Sequence, residues 1–392
     1  MAGATDEVRL ARAALTRICE PGSHGLADLI DRHGPVETLA LLRRSGPPPH
    51  DIARDVLARR AEDLAAHDLD AVHRLGGRLV CPEDDEWPAQ VDQLDAVSAA
   101  ADPVKSPVAL WVRGHPELAA TCERAVSVVG ARAATAYGSH VASELAYGLA
   151  DRECTVVSGG AYGIDGAAHR GALAAGGPTV AVLASGVDRP YPLGHHSLFE
   201  RIAAVGLLVS EWPPGCPPRR LRFLVRNRVI AALSAGTVVV EAAARSGARM
   251  TARRAVELNR ALMAVPGPVT SAMSVGTHQL IRSGGAILVS TAAEILDAAG
   301  RIGADLAEPP RGPVIRRDEL DPALLPVLEA MPGRGESAAE DLARQAGVGL
   351  RDGLRALALL SGHGLVEQLP AGFRLTAAGR RSATPAEAPS VR

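Results

Sequence analysis

The chain of 392 residues predicts an α/β protein, a doubly wound and mainly parallel sheet with a helical module before it and a winged-helix-like unit after it. Three observations carry this. Continuous apolar and β-branched runs alternate with helical segments between about Leu79 and Ala298, as in a parallel sheet covered on both faces. Two of those runs end in glycine turns that open helices. After the linker-like Glu308-Pro-Pro-Arg-Gly-Pro, two short helices precede two glycine-led strands.

In chain order, residues 1–75 read as a small helical module of SAM or helix-hairpin-helix type. Leu10, Ala14 and Ile18 recur at helical spacing, His33-Gly34-Pro35 breaks the next helix, and Pro47 to Pro49 form a joint. A packing or oligomerisation cap and a nucleic-acid contact are both open for it. Residues 76–305 hold the sheet. Its expected strands are Val126 to Val129, Thr155 to Ser158, Thr179 to Leu183, Leu207 to Ser210, Thr237 to Glu241, Ala261 to Val265 and Ala286 to Val289. Ligands of such sheets bind beyond the carboxyl ends of the strands, which would gather Gly130, Gly159, Ser185, Glu211, Glu241 and Pro266. Residues 306–317 read as a linker, 318–380 as the winged-helix-like unit, and 381–392 as a disordered tail. Helices are expected at Glu340 to Ala346 and Leu350 to Leu360, with a β-wing from Gly364 and Gly372. Arg351 and Arg355 against Asp352 make a sparse basic face, so the unit suits a protein contact at least as well as a duplex.

Composition narrows the function. Aromatics are only 3%, so the core rests on Ala, Val and Leu. Five scattered cysteines without a CxxC pair argue against a disulfide framework or a cysteine-rich zinc site. No stretch has signal-peptide or membrane-spanning form, so a cytoplasmic, membrane-free protein is expected. Net charge is −2, yet residues 219–260 hold ten arginines against Glu241 and Glu257, a local excess of basic charge on an otherwise acidic chain. That distribution suits a localised polyanion site.

The turn after Val129, Gly130-Ala-Arg132, lacks the later glycines of the dinucleotide fingerprint, and Arg132 sets a planar cation beside it. The second turn, Ser158-Gly159-Gly-Ala-Tyr162-Gly163, opens another helix whose amides can meet phosphate. Arg219, Arg222 and Arg226 share a helix side suited to a phosphate backbone. Arg228 lies opposite and needs either a phosphate or an internal carboxylate such as Glu241; the phosphate role ranks first. Ser246, Gly247 and Thr251 can offer amides and hydroxyls to phosphate, or simply cap their own helix. Ser158, Asp165 and His169 lack a GxSxG elbow, and Asp165 reads as a helix-start carboxylate with His169 as a packing contact. Tyr162 and Phe223 are either rings for an unstacked base or core. No nucleophile, metal cage or cofactor motif stands out, and a non-catalytic protein is expected.

With these residues assembled, the middle of the chain resembles the DNA-processing protein A family (DprA, also called Smf). The matching blocks run in order: Gly130-Ala-Arg132, Ser158 to Asp165, Ala168-His169-Arg, Tyr191-Pro192, Ser210-Glu211, Phe223 with Arg226-Asn227-Arg228, Glu241-Ala, Ser246-Gly247 with Thr251-Ala252, Val265-Pro-Gly267 and Gly276 to Arg282. The resemblance implies an extended Rossmann-like fold, sequence-independent single-stranded DNA binding, a homodimer, and loading of a RecA-type recombinase in natural transformation. It implies a DNA pocket built from Arg132, Ser158, Gly159, Arg226, Arg228, Ser246 and Thr251, to which the residue reading adds Gly130, Tyr162, Gly163, Phe223, Asn227 and Gly247. Tyr162 stands where the family often has arginine, Leu224-Val225 replace a commoner Pro-Arg, and Arg249 replaces a commoner leucine. The alternative is a nucleotide phosphoribohydrolase on a related fold, although its PGGxGTxxE motif is missing. A winged-helix regulator of duplex promoters is a third reading.

Overall fold

The computed structural model describes residues 3–44, 56, 59, 61, 63–97, 105–301, 303–307 and 320–383. The proline joint at 47–49, the expected linker from residue 308 on and the tail from residue 384 on lie outside them. The chain divides into two compact units, Met1–Ala307 and Glu308–Arg392.

In the first unit, α1 (Asp6–Ile18) begins at Thr5, whose hydroxyl accepts from the Val8 amide. α2 (His24–Arg43) begins at Ser23 and kinks where Gly34 takes φ 73° ahead of Pro35. α3 (Ala65–Arg74) follows. These helices are built into the unit by ion pairs of 2.6–2.8 Å, Arg9–Asp84, Arg12–Glu83 and Arg17–Asp68, and by the bond from the Trp111 indole to Thr16. Residue 75 therefore divides the pattern of elements and not the packing.

The sheet has nine strands: β1 (Gly77–Val80), β2 (Leu110–Arg113), β3 (Ala125–Val129), β4 (Thr155–Gly159), β5 (Thr179–Leu183), β6 (Leu207–Ser210), β7 (Gly236–Val239), β8 (Ala261–Ala264) and β9 (Ile287–Leu288). Their order is β1-β2-β6-β5-β4-β3-β7-β8-β9. From β6 to β9 every pairing is parallel, and β1 and β2 extend the β6 edge antiparallel. Between the strands lie α4 (Gln93–Ala96), α5 (Leu118–Cys122), α6 (Ala136–Ala150), α7 (Ile164–Ala174), α8 (His196–Val205), α9 (Arg220–Ala232), α10 (Ala248–Glu257) and α11 (Val275–Arg282); α12 (Ala292–Ala299) follows β9.

Alternation along the strands makes the winding double. Ala125, Val129, Val157 and Val239 pack on α9 and α10 through Val229, Ile230 and Ala252. Val126, Val128, Val156 and Val238 pack on α6, α7 and α12 through Leu145, Ala168 and Ile295. All seven expected strands form, and α9 lies where the arginine segment placed a helix. Successive strands are added in one direction from β3 to β6 and in the other from β7 to β9, so a crevice opens beyond the carboxyl ends of the parallel neighbours β3 and β7.

The second unit holds α13 (Leu325–Glu329), α14 (Ala339–Gln345), α15 (Leu350–Gly362), an antiparallel hairpin of β10 (Val366–Leu369) and β11 (Gly372–Leu375), and α16 (Ala377–Ala383). Leu328, Leu342, Leu357, Leu360 and Leu375 form its core.

Candidate nucleic-acid interface

The two glycine turns lock against each other at the switch point. The Ala131 amide donates to the Glu241 carbonyl at 2.8 Å, and the Ile164 amide to the Ala131 carbonyl at 3.2 Å. Gly163, at φ 77° before α7, carries no Cβ because one would meet the carbonyls of Ala131 and Arg132. Arg132 is thereby fixed at the mouth of the crevice.

The helix starts are less open to phosphate than the sequence suggested. At α6, Thr135 caps the Gly138 amide, and the buried Glu241 carboxylate accepts from the Thr135 amide (2.9 Å) and hydroxyl (2.6 Å). An internal anion thus already occupies the positive end of α6. At α7, Asp165 stands in the first turn and accepts a long bond of 3.4 Å from the Ala161 amide.

A cavity of about 330 Å³ opens at this point. It is lined by Gly130, Arg132, Phe223, Arg226, Asn227, Ser246, Gly247 and Thr251 among the expected residues, and by Asp165. An adjoining cavity of about 480 Å³ shares Arg132, Phe223 and Leu224 with it and adds Tyr191, Arg219 and Arg220. The Arg132 guanidinium lies 4.7 Å over the Phe223 ring, and Tyr191 meets that ring edge-on at 6.0 Å. Tyr162, half exposed, lies outside both linings with its ring edge-on to His195 at 4.7 Å.

Arg226 and Asp165 form the floor. A Cβ on Gly159 would lie 2.5 Å from Asp165 Oδ2 and 2.6 Å from Arg226 Nη2, so the bare glycine admits both groups. Arg226 donates inward to the Val182 carbonyl and, at 3.3 Å, to Asn227 Oδ1. Burial lowers its pKa to about 10 despite the nearby carboxylate. Burial raises Asp165 to about 6, opposed by the charge of Arg226.

The expectations for Arg228, Arg222, Ser158 and Gly159 are corrected. Arg228 is 1% exposed and makes a two-pronged pair with Glu211 (2.5 and 2.6 Å), its Nε donating to the Lys105 carbonyl, so its charge is consumed internally. Its partner is Glu211 and not Glu241, which is bonded to Thr135. Arg222 donates to Glu20 (2.7 and 3.2 Å) and lies over Trp212, and so leaves the row with Arg219 and Arg226. Ser158 is fully buried and donates to the Val128 carbonyl at 2.6 Å, and Gly159 makes room for the floor without lining the cavity. His169 is buried between the Gly159 carbonyl and Thr179 Oγ1, both at 2.8 Å; burial holds it near pKa 4, so it is neutral and Nε2 carries the proton that the carbonyl accepts.

Asp165 as a cavity carboxylate and the second cavity were missed by sequence reasoning. The signal for the latter was Arg219-Arg220 at the start of α9, together with Tyr191. Among the described residues, no group of three His, Cys, Asp or Glu is placed to hold a metal ion, and no helix is long and apolar enough to cross a membrane.

A doubly wound sheet with an arginine-lined cavity at its switch point has its cavity where such sheets place a ligand. The chain belongs to the DNA recombination-mediator protein A family, whose pattern matches residues 78–300. A Mycobacterium tuberculosis (strain H37Rv) protein carrying the DprA name is 48% identical over 376 residues, covering 95% of this chain and 96% of the relative. Protein Smf of Escherichia coli (strain K12) is 38% identical over 270 residues, 68% of this chain and 71% of its own. The X-ray structure of DNA processing protein A from Streptococcus pneumoniae superposes with a TM-score of 0.60 at 27% identity, covering 75% of this chain and 98% of that one.

Proposed function

We propose that this chain binds single-stranded DNA without sequence preference, protects incoming strands, and loads a RecA-type recombinase in natural transformation and recombination, acting as a non-catalytic homodimer in the cytoplasm. The observation that carries the DNA reading is the pair of adjoining cavities, joined at Arg132 and Phe223, with Arg219 and Arg220 exposed at the far end and in no ion pair with a described residue. Guanidinium groups and backbone amides recognise phosphate and leave base edges unread. A ring at the junction suits a base already out of its stack, which favours single strands over duplex. Recombinase loading and dimerisation rest on the family, whose description names a recombination mediator. On the phosphoribohydrolase reading base release depends on Glu241, and that carboxylate is bonded to Thr135 and lines neither cavity.

The test is a salt-titrated comparison of oligothymidylate, duplex and nucleoside monophosphate binding. The reading expects oligothymidylate to bind best, with log affinity falling by roughly 0.7 per contacted phosphate for each tenfold rise in salt. Duplex preference, or saturable monophosphate binding with base release, would overturn it.

A further inference from the structure

From Ala242 to Arg282 the chain carries six arginines and a single carboxylate, Glu257. Glu257 is taken by Arg253 and Arg254, both at 2.7 Å. Arg245, Arg249 and Arg282 remain exposed and meet no carboxylate among the described residues. Arg249 donates only to neutral oxygens, the Ala244 carbonyl at 2.6 Å and Gln279 Oε1 at 3.5 Å.

These cations stand beside the first cavity. Arg245 precedes the lining residue Ser246, and Arg249 follows the lining residue Ala248. The contact between Arg249 and Gln279 joins the start of α10 to α11, where Arg282 lies three residues beyond Gln279 and so on the same helix side. The rim is held by backbone bonds, Ala242 N to the Met273 carbonyl at 2.8 Å and Gly276 N to the Ala242 carbonyl at 2.7 Å. The second cavity includes none of residues 243–251, so this cationic rim borders the first cavity away from Arg219 and Arg220.

We infer that a single strand leaving the first cavity continues over Arg245, Arg249 and Arg282, which hold its phosphates and lengthen the footprint beyond the two cavities. This rests on the single-strand reading above. Three cations kept free of carboxylates at the rim of a polyanion cavity, on a chain of net charge −2, have a phosphate backbone as their natural counterion.

The experiment compares full-length protein with the double variant Arg245→Ala/Arg249→Ala and with Arg132→Ala, on oligothymidylates of roughly 6 and roughly 20 nucleotides across a salt series. Removing two phosphate contacts is expected to lower the salt slope for the long strand by about 1.4 and its affinity about tenfold or more, with binding of the short strand unchanged. Arg132→Ala is expected to weaken both strands. Equal loss on both lengths in the double variant, or loss on neither, overturns the inference. Unchanged binding in Arg132→Ala sinks the cavity reading instead. Both rim side chains are exposed, and thermal unfolding of the double variant confirms that the fold is intact.

Discussion

Replacing Asp165 with Asn isolates the electrostatics of the cavity floor. Asp165 is raised from 3.8 to about 6 by burial, so the folded state holds its proton more tightly than the unfolded chain. At about 1.4 kcal/mol per pH unit, keeping it ionised in the fold costs about 3 kcal/mol above pH 6. Stability from this group rises as pH falls through 6 toward 3.8. His169 works the other way. It is lowered from 6.5 to about 4, so its contribution is complete above pH 6.5 and about 3 kcal/mol of it is lost as pH falls toward 4. The two nearly cancel in the parent protein, and the difference between parent and variant reports Asp165 alone. Asn mimics the protonated acid, so Asp165→Asn should be more stable by about 3 kcal/mol at pH 8, shrinking to about 1 kcal/mol at pH 4.5. Urea unfolding across that range measures it. The variant should also hold oligothymidylate more tightly at pH 8, since a negative charge has left the cavity. A stability difference independent of pH would refute the placement of an ionised, buried carboxylate beside Arg226.

Arg228→Met should destabilise the fold by about 3–5 kcal/mol in urea by leaving Glu211 charged and buried, while the folded protein keeps its oligothymidylate affinity; a selective loss of affinity would return Arg228 to the DNA site. Gly163→Ala should cost about 1–3 kcal/mol from its φ of 77° alone, and should also weaken DNA binding by pushing on the Arg132 carbonyl; an unaltered affinity would show that the two turns are not coupled.

The parallel sheet was legible because its strands are buried on both faces and read as unbroken apolar runs, and the crevice followed from strand order. β1 and β2 were not, being four-residue strands added antiparallel to an edge, with no crossover helix to announce them. Eight of the expected site residues meet in one cavity because Gly130 and Arg132 follow β3, Ser246, Gly247 and Thr251 surround the start of α10, and Phe223, Arg226 and Asn227 lie on α9 between them. The errors share one cause. Helix phase shows which side of α9 Arg222 and Arg228 occupy, but not that Glu20, some 200 residues earlier, and Glu211, at the end of β6, stand opposite them. Ser158 failed likewise, since its strand register turns the hydroxyl to Val128 in the neighbouring strand.

The occupied end of α6 explains why this site depends on arginine. In many doubly wound proteins the first helix start supplies the positive field for phosphate. Here the Glu241 carboxylate takes that position, and Gly138, which has no Cβ, gives it room. The field must then come from side chains. Arg226, buried and held by the Val182 carbonyl, supplies a fixed cation at the floor, while Arg132, propped on Phe223, supplies one at the mouth. Fixed guanidinium groups grip any phosphate that passes and contact no base edge, so affinity should follow strand length and salt and remain indifferent to sequence. A helix-start site would instead favour one phosphate at one point, as for a mononucleotide. On the proposed reading, internal occupation of the helix start turns a fold suited to small phosphate esters toward a continuous phosphate chain.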